Sequence, residues 1–527
     1  MSYAATKMQI ISLKAICLRY ILVSFAFLYV GSGFAQKADP ADAEEHFKFH
    51  NYTDALIVYK KLIEKDPKNA DYPYKAGFCI LHTDRDKSEA VKFLETASAK
   101  KSDPDVDFYL AKAYHYTLKL KEALETFEKY KKSGLGTKQA EISREIETVK
   151  NAMIFVKSPI DITFENAGDK VNTQYPDYYP IVTPDESYLF FTSRRKGVVG
   201  GTREFDGYYS SDVFFTKVDS GEFIPAKGAG TMVNSTFDEQ AVGLSYNADR
   251  LYVYMDNIKE FGDIYESKMT AGKFKKIEKL SEAINSKGFE SSATISADEN
   301  TLFFASRREG GFGEKDIYMS KKLPTGEWAE PQNLGEVINT PYDEDFPNLF
   351  YDGKTLYFSS KGHNSMGGFD YYKSTWDEIN NTWSKPVNLG YPLNTPEDNL
   401  CISFTDNQSH AYISTWLKDS KGEKDIYKVT FNETDLRQTV IKSKVITQGS
   451  TEAIKDALIN VIDVSTQEEI GNYTPNPKSG AFAIILKPGK YQILIDAPGF
   501  APKTEDITIL GKSDFVPFKE QDFIVIP

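Results

Sequence analysis

The sequence predicts a multidomain α plus all-β protein: an α-helical repeat, then a five-bladed β-propeller, then a small β-sandwich. Three observations predict it. Small and aromatic residues recur with a 34-residue period between Ala41 and Ile154. A triplet of Asp, an apolar residue and an aromatic recurs from Asp212-Val-Phe214 to Asp425-Ile-Tyr427, at spacings of 51, 53, 54 and 55 residues. Beyond Val440, short alternating stretches are separated by Pro-Gly turns. At 527 residues the chain is too long for one core. Its 32 Tyr and 35 Phe favour β-structure over much of that length.

Residues 1–35 read as a secretory signal. Lys7, Lys14 and Arg19 form a basic start, Tyr20 to Val30 is a short apolar run, and Gly33-Phe34-Ala35 supplies the small residues a peptidase needs. The expectation is cleavage after Ala35, with a signal anchor as the alternative. No Cys follows the apolar run at the cleavage point, so no lipid attachment is expected. The formal charge is −13, and losing the signal makes it more negative still. That leaves no basic field for nucleic acid. Cys79 and Cys401 fall in different predicted domains and read as small buried hydrophobes rather than a disulfide pair.

The helical segment spans 36–156. Tyr52, Ala55, Leu56, Tyr59, Leu62 and Pro67 have the spacing of the second helix and exit turn of a tetratricopeptide unit. Ala76, Gly77 and Ile80 match the next first helix, and Leu110, Ala111 and Tyr114 repeat them 34 residues on. The small residues let antiparallel helices approach, and the aromatics fill the space beyond. A helix from about Lys138 to Phe155 is expected to cap the open end. The concave surface is lined by the first helix of each unit, so Tyr74, Lys75, Lys112 and His115 are the expected exposed partner contacts.

The propeller spans 157–432. Each Asp triplet follows an apolar strand that ends in small and basic residues, such as Leu189-Phe-Phe-Thr-Ser-Arg-Arg195 and Leu302-Phe-Phe-Ala-Ser-Arg-Arg308. Before each comes an Asn with an acidic pair, as in Asn234 with Asp238-Glu239 and Asn339 with Asp343-Glu344. Four short strands per unit of about fifty residues make a blade. Five blades are visible. A sixth would have to come from Ile160 to Glu165, which reads instead as a strand closing the last blade. The third segment, 438–527, reads as a transthyretin- or Ig-like sandwich. Ala457 to Val464 is one strand, and Ser479–Leu486 with Tyr491–Ile495 is a hairpin around Lys487-Pro-Gly-Lys490. Phe515 to Pro527 is expected to be a last strand or an extended arm.

In this order, the segments resemble the PorE-like, OmpA-family periplasmic proteins of Bacteroidetes. The blade signature Gly310-Gly-Phe-Gly-Glu-Lys-Asp-Ile-Tyr318, with Trp328, Pro331, Asn333-Leu-Gly335 and Asn339-Thr340 after it, is similar to that family's TolB-like, WD-type propellers. Gly480-Ala-Phe482, Pro488-Gly-Lys-Tyr491 and Pro498-Gly-Phe500 resemble its carboxypeptidase-regulatory-like sandwich. The resemblance implies a non-catalytic periplasmic scaffold, peripheral to the outer membrane. Its partners would be outer-membrane or periplasmic proteins of a type IX secretion or gliding assembly. Phe523-Ile-Val-Ile-Pro527 stands about where that family's OmpA-type domain would begin, and no stretch carries that domain's Asp and Arg grip. Peptidoglycan contact is therefore not carried over.

All the repeated polar groups of a blade are expected on one face of the disc. One reading is a ligand platform around the central channel, lined by Arg194, Arg195, Arg307, Arg308, Lys361 and His363. The other is structural: the acids pair with these bases, and Asp316 accepts backbone N–H groups of its glycine loop. Repetition in every blade favours the second, since a ligand is seldom symmetric. Blade-specific features are better site candidates. These are Trp416, where other blades have Arg or Lys, and the inserted loop Lys196 to Tyr209. A propeller module binding a carbohydrate or peptide is the alternative to the scaffold. No catalytic residue, cofactor or metal site is expected. The six His include only His46 and His50 at ligand spacing, on the first helix, without the Glu of a metalloprotease motif. No Gly-x-Ser-x-Gly elbow occurs. The clustered Asp residues leave calcium open, though none has an EF-hand spacing.

Overall fold

In the computed structural model, the described residues are 39–526 without 220, 257–261, 271–272, 407, 433–438, 465–466, 510–515 and 517. The expected signal, 1–35, lies outside them. Two units emerge, 1–431 and 432–527. The first holds both the helices and the propeller.

Seven helices come first among the described residues: α1 (Pro40–Lys48), α2 (Tyr52–Lys65), α3 (Asp71–Leu81), α4 (Ser88–Ala99), α5 (Val106–Tyr116), α6 (Leu120–Ser133) and α7 (Ile142–Phe155). Small residues at their contacts set the spacing: Ala55, Ala76, Ala90, Ala97, Ala111, Ala113 and Ala123 are fully buried. A Cβ on Gly77 would lie 2.5 Å from Leu94 Cγ, so α3 and α4 meet at van der Waals limits. Asn51 starts α2 by accepting the Asp54 N–H at 3.1 Å. Gly134, at φ 63°, ends α6. His50 falls past the end of α1 with φ 61° and stacks on Tyr52, so it does not share a helix face with His46 as expected.

Five antiparallel sheets then form the propeller. Blade 1 runs Asp177–Val182, Tyr188–Ser193, Asp212–Asp219 and a short outer strand at Glu222–Phe223. Blades 2, 3 and 4 start at Asp238–Leu244, Glu290–Ile295 and Glu344–Leu349. Blade 5 takes Ser403–Phe404, His410–Thr415 and Asp425–Phe431, and its outer strand is Ile162–Asn166 from the other end of the segment. The inner strands converge on the axis, where Ile181, Gly243, Ala293, Pro347 and Ile402 share one small cavity.

Two polar locks recur in the blades. In the first, an Asn before each inner strand binds both backbone groups of a third-strand residue. Asn234 accepts from Val213 N at 2.9 Å and donates to Val213 O at 3.0 Å. Asn285 does so with Ile264, Asn339 with Ile317 and Asn394 with Tyr371. Asn172 grips Ile426, tying blade 1 to blade 5. In the second lock, a buried carboxylate accepts the backbone N–H of a Ser or Thr four residues earlier: Asp177, Glu239, Glu290 and Glu344. Asn399 fills that place in blade 5.

In the second unit, two sheets enclose one core. Thr439–Thr447 pairs antiparallel with Ala481–Leu486 and parallel with Phe518–Glu520 and Phe523–Val525. The other sheet orders Glu469–Tyr473, Leu458–Asp463, Gly489–Asp496 and Lys503–Ile509. The expected hairpin is absent. Its first strand, Ala481–Leu486, lies in one sheet and its second, Gly489–Asp496, in the other. The Pro-Gly turn crosses the core, so Phe482, Ile484 and Leu486 join one cluster with Tyr491, Ile493 and Ile495. Alternation is the same for a hairpin and a crossover, which is why sequence could not separate them.

Candidate functional site

The helices roof the face of the propeller that carries the polar repeats, held at three points. The inserted loop of blade 1 grips the first helical pair. Phe205 stacks on Phe49 at 5.2 Å, Tyr208 Oη meets Thr53 Oγ1 at 3.2 Å, and Arg203 reaches Asp54 at 3.3 Å. Gly207 is required there, because a Cβ would collide with the Asn51 amide. The turn between α3 and α4 meets blade 5: Arg85 pairs with Glu423 at 2.8 Å, Asp84 with Lys424 at 3.2 Å and Lys87 with Glu397 at 3.4 Å. Finally, α7 sits on the blade 4 loop. Arg144 donates to the carbonyls of Lys361, Gly362 and His363 and stacks on Tyr342, while Asn151 donates to Ser365 O.

Between roof and disc is a cavity of about 890 Å³. The roof contributes Tyr52, Phe78, His82 and Tyr109. The rings are mutually braced: Phe78 lies 3.9 Å from the stacked His82 and 4.9 Å from Tyr109. Desolvation pulls the His82 imidazole down to about 4, so it is neutral at pH 7. The floor is built by the inner strands. The residue after each lock residue faces the cavity: Tyr178, Gln240, Ser291, Asp345 and Leu400. The lock position recurs in every blade as Asp, Glu or Asn, and the next residue differs in every blade. That register makes a ligand-facing ring of five unlike side chains on a symmetric frame.

Most of the predicted platform is committed elsewhere. Arg194 forms a bidentate pair with Asp206 at 2.7 and 3.0 Å and donates to Tyr209 O, which holds the inserted loop. Arg195 pairs with Asp177 at 2.6 Å and lies over the Phe214 ring. Arg308 donates to Ile284 O at 2.7 Å and stacks on Phe304 and Tyr318. Lys361 pairs with Asp343 at 3.0 Å, and His363 Nε2 meets Ile338 O at 3.0 Å. Asp316 accepts from Phe312 N and Gly313 N of its glycine loop. Of the six predicted platform residues only Arg194 and Arg307 line the cavity. The reason is geometric: each base ends a strand beside the acid that heads its neighbour, so the pair closes inside or between blades. Trp416 is half-buried and is not among the lining side chains.

The predicted groove residues need correction too. His115 is 1 % exposed, and desolvation pushes its imidazole down to about 3, so it is a packing residue rather than a contact. Lys112 is half-buried and pairs with Glu145 of α7 at 2.8 Å. Lys75 is held by Glu44 and, at 3.2 Å, by Asp71. Tyr74 packs 6.0 Å from Tyr109. The helices meet the cavity through Tyr52, which the repeat spacing marks in a second helix, and through Phe78, His82 and Tyr109, which the sequence pattern does not single out. The sequence signal for this face is Phe78 and His82, two aromatics four apart. Among the described residues, no three His, Cys, Asp or Glu are grouped to hold a metal ion.

Neither a family model nor a curated protein sequence matches the chain. Among solved structures, TolB from Acinetobacter baumannii is similar over 56% of this chain and 71% of its own, at 14% identity and a TM-score of 0.33. The RRP9 WD40 repeats are similar over 51% and 99%, at 9% identity and a TM-score of 0.29. An α-L-arabinofuranosidase from Lactobacillus brevis is similar over 52% and 93%, at 11% and 0.31. Likenesses this distant carry no functional argument, and the propeller rests on its strand order.

Proposed function

We propose that this chain is a non-catalytic, exported binding protein: a periplasmic scaffold, peripheral to the outer membrane, in an envelope assembly of the type IX secretion or gliding kind. In this reading the helices are a tetratricopeptide segment and 432–527 is a carboxypeptidase-regulatory-like sandwich, as in the PorE-like proteins. The supporting observation is the cavity, where an aromatic helical face and the variable ring of the propeller converge on one space. No helix among the described residues is long and apolar enough to cross a membrane. Pull-down from chemically cross-linked envelopes tests the scaffold. Recovery of specific outer-membrane barrel or periplasmic partners is expected, and recovery of abundant porins alone overturns the reading. A second reading, a module sensing a carbohydrate or peptide, is favoured by the roof, which turns the polar face into a cleft lined on two sides.

A further inference from the structure

We infer that the roofed cavity is a binding site for a neutral oligosaccharide, admitted from the side of blades 2 and 3. This rests on reading the cavity as the ligand site, and it names the ligand class. Access follows from the anchors. The three helix-to-propeller attachments fall on the blade 1 loop, the blade 5 turn and the blade 4 loop. Among the described residues, the rim of blades 2 and 3, which brings Tyr254, Phe289 and Arg307 to the cavity, carries none of them.

Charge argues against an anionic ligand. Seven carboxylates and five Lys or Arg line the space, and most are paired within the wall. Arg194 is met by Asp206, Lys315 by Asp345, Lys424 by Asp84, and Glu423 by Arg85. Asp238 accepts from both Ser211 N and Ser211 Oγ. An anionic ligand would find lining cations such as Arg194, Lys315 and Lys424 already met by carboxylates, which outnumber the cations seven to five. The Tyr52, Tyr109 and Tyr178 hydroxyls and the Gln240 amide on the wall suit hydroxyl groups that both donate and accept.

Shape and surface agree. The volume of about 890 Å³ lies within the range of about 300–1,000 Å³ for small-molecule sites. Aromatic rings approach from above through Tyr52 and Tyr109 and from below through Tyr178 and Phe289. Flat rings pack well on the C–H faces of pyranoses, and tyrosine hydroxyls reach the sugar edge. An extended peptide would instead need paired donors and acceptors for its backbone. Among the described lining residues there is no Asn, and Gln240 is the one side-chain amide. The repeat asparagines are committed to the third strands.

The test uses the full mature chain on an array of neutral and anionic oligosaccharides with tripeptides printed beside them, followed by calorimetry. Chitotriose, cellotriose and maltotriose are the neutral probes, and trigalacturonate is the anionic one. Retention of a neutral sugar is expected, with affinity unchanged between low and high salt. Tyr178→Ala and Gln240→Ala should each weaken it about tenfold, and Trp416→Ala should leave it unchanged. Gln240→Ala keeps the test sound if Tyr178→Ala melts early. Retention of anionic sugars or peptides alone, no neutral sugar retained, or binding unaffected by both cavity variants would overturn the inference. Partner capture from cross-linked envelopes is measured separately, so the scaffold reading can stand if the sugar fails.

Discussion

Glu344 heads blade 4 with no exposed surface, and accepts from Thr340 N at 2.7 Å, Thr340 Oγ1 at 2.7 Å and Ser360 Oγ at 2.6 Å. Desolvation outweighs these bonds and raises its acid to about 8. Burial likewise lifts Asp370 and Asp212 to about 7. A carboxyl raised above its unfolded value stabilises fully below the unfolded pKa, and that contribution is lost as pH rises through the folded one. Stability should therefore fall between about pH 4.5 and pH 8, with one such group losing at most about 1.4 kcal/mol for each pH unit crossed. Blade 5 already uses an amide here, Asn399. Glu344→Gln is expected to flatten the alkaline limb, read by urea unfolding from pH 5 to pH 8.5, and an unchanged limb would count against the raised acid. His82 and His115 act in the opposite sense. Their folded values, about 4 and about 3, lie below the unfolded one, so their contribution is complete above about pH 6.5 and is lost on acidification. His115→Gln should shrink the loss between pH 6.5 and pH 4.

At the scale of elements, the repeats were legible because each is a local pattern, while the roles of their polar residues depended on neighbours far away. Gly77 shows the legible side. The small-residue position was read from spacing alone, and Leu94 Cγ leaves it no room for a side chain. Gly77→Leu should destabilise the helices by about 1–3 kcal/mol in thermal melts, while Trp416→Ala leaves the melting point nearly unchanged. Lys112 shows the other side. Its partner Glu145 is 33 residues away on α7, so no window of sequence displays the pair. Lys112→Glu should cost about 2 kcal/mol through two half-buried acids. Lys75→Glu, against the more exposed Glu44 and Asp71, should stay within about 1 kcal/mol. Equal losses in the two melts would mean that Lys112 is not held as its geometry indicates. The inserted loop belongs here too: its length marked it in sequence, but its hold on Phe49, Thr53 and Asp54 did not show.

At the scale of the molecule, closure joins the two ends of the propeller segment. Ile162–Asn166 completes blade 5 in register with Tyr427–Phe431, and Asn172 binds both backbone groups of Ile426. Asn172→Ala leaves that buried N–H and C=O without their partner, which costs about 1–3 kcal/mol for a buried group. A lower denaturation midpoint is expected, and hydrogen exchange should quicken first across 162–166 and 425–431. Protection lost evenly over all blades would argue against local opening at the closure. By itself the sequence showed five blade repeats, pointed to the strand that closes the last of them and placed the small residues of the helices. All of these are periodic, and each repeat writes them into its own residues. Only the tertiary structure decided that the helices roof the polar face and that the repeated bases are consumed by acids. It also decided that the Pro-Gly turn crosses between sheets and that the residues after the locks form the cavity floor. These follow from which surfaces meet once the ring closes, and that is a property of the assembled chain rather than of any stretch of it.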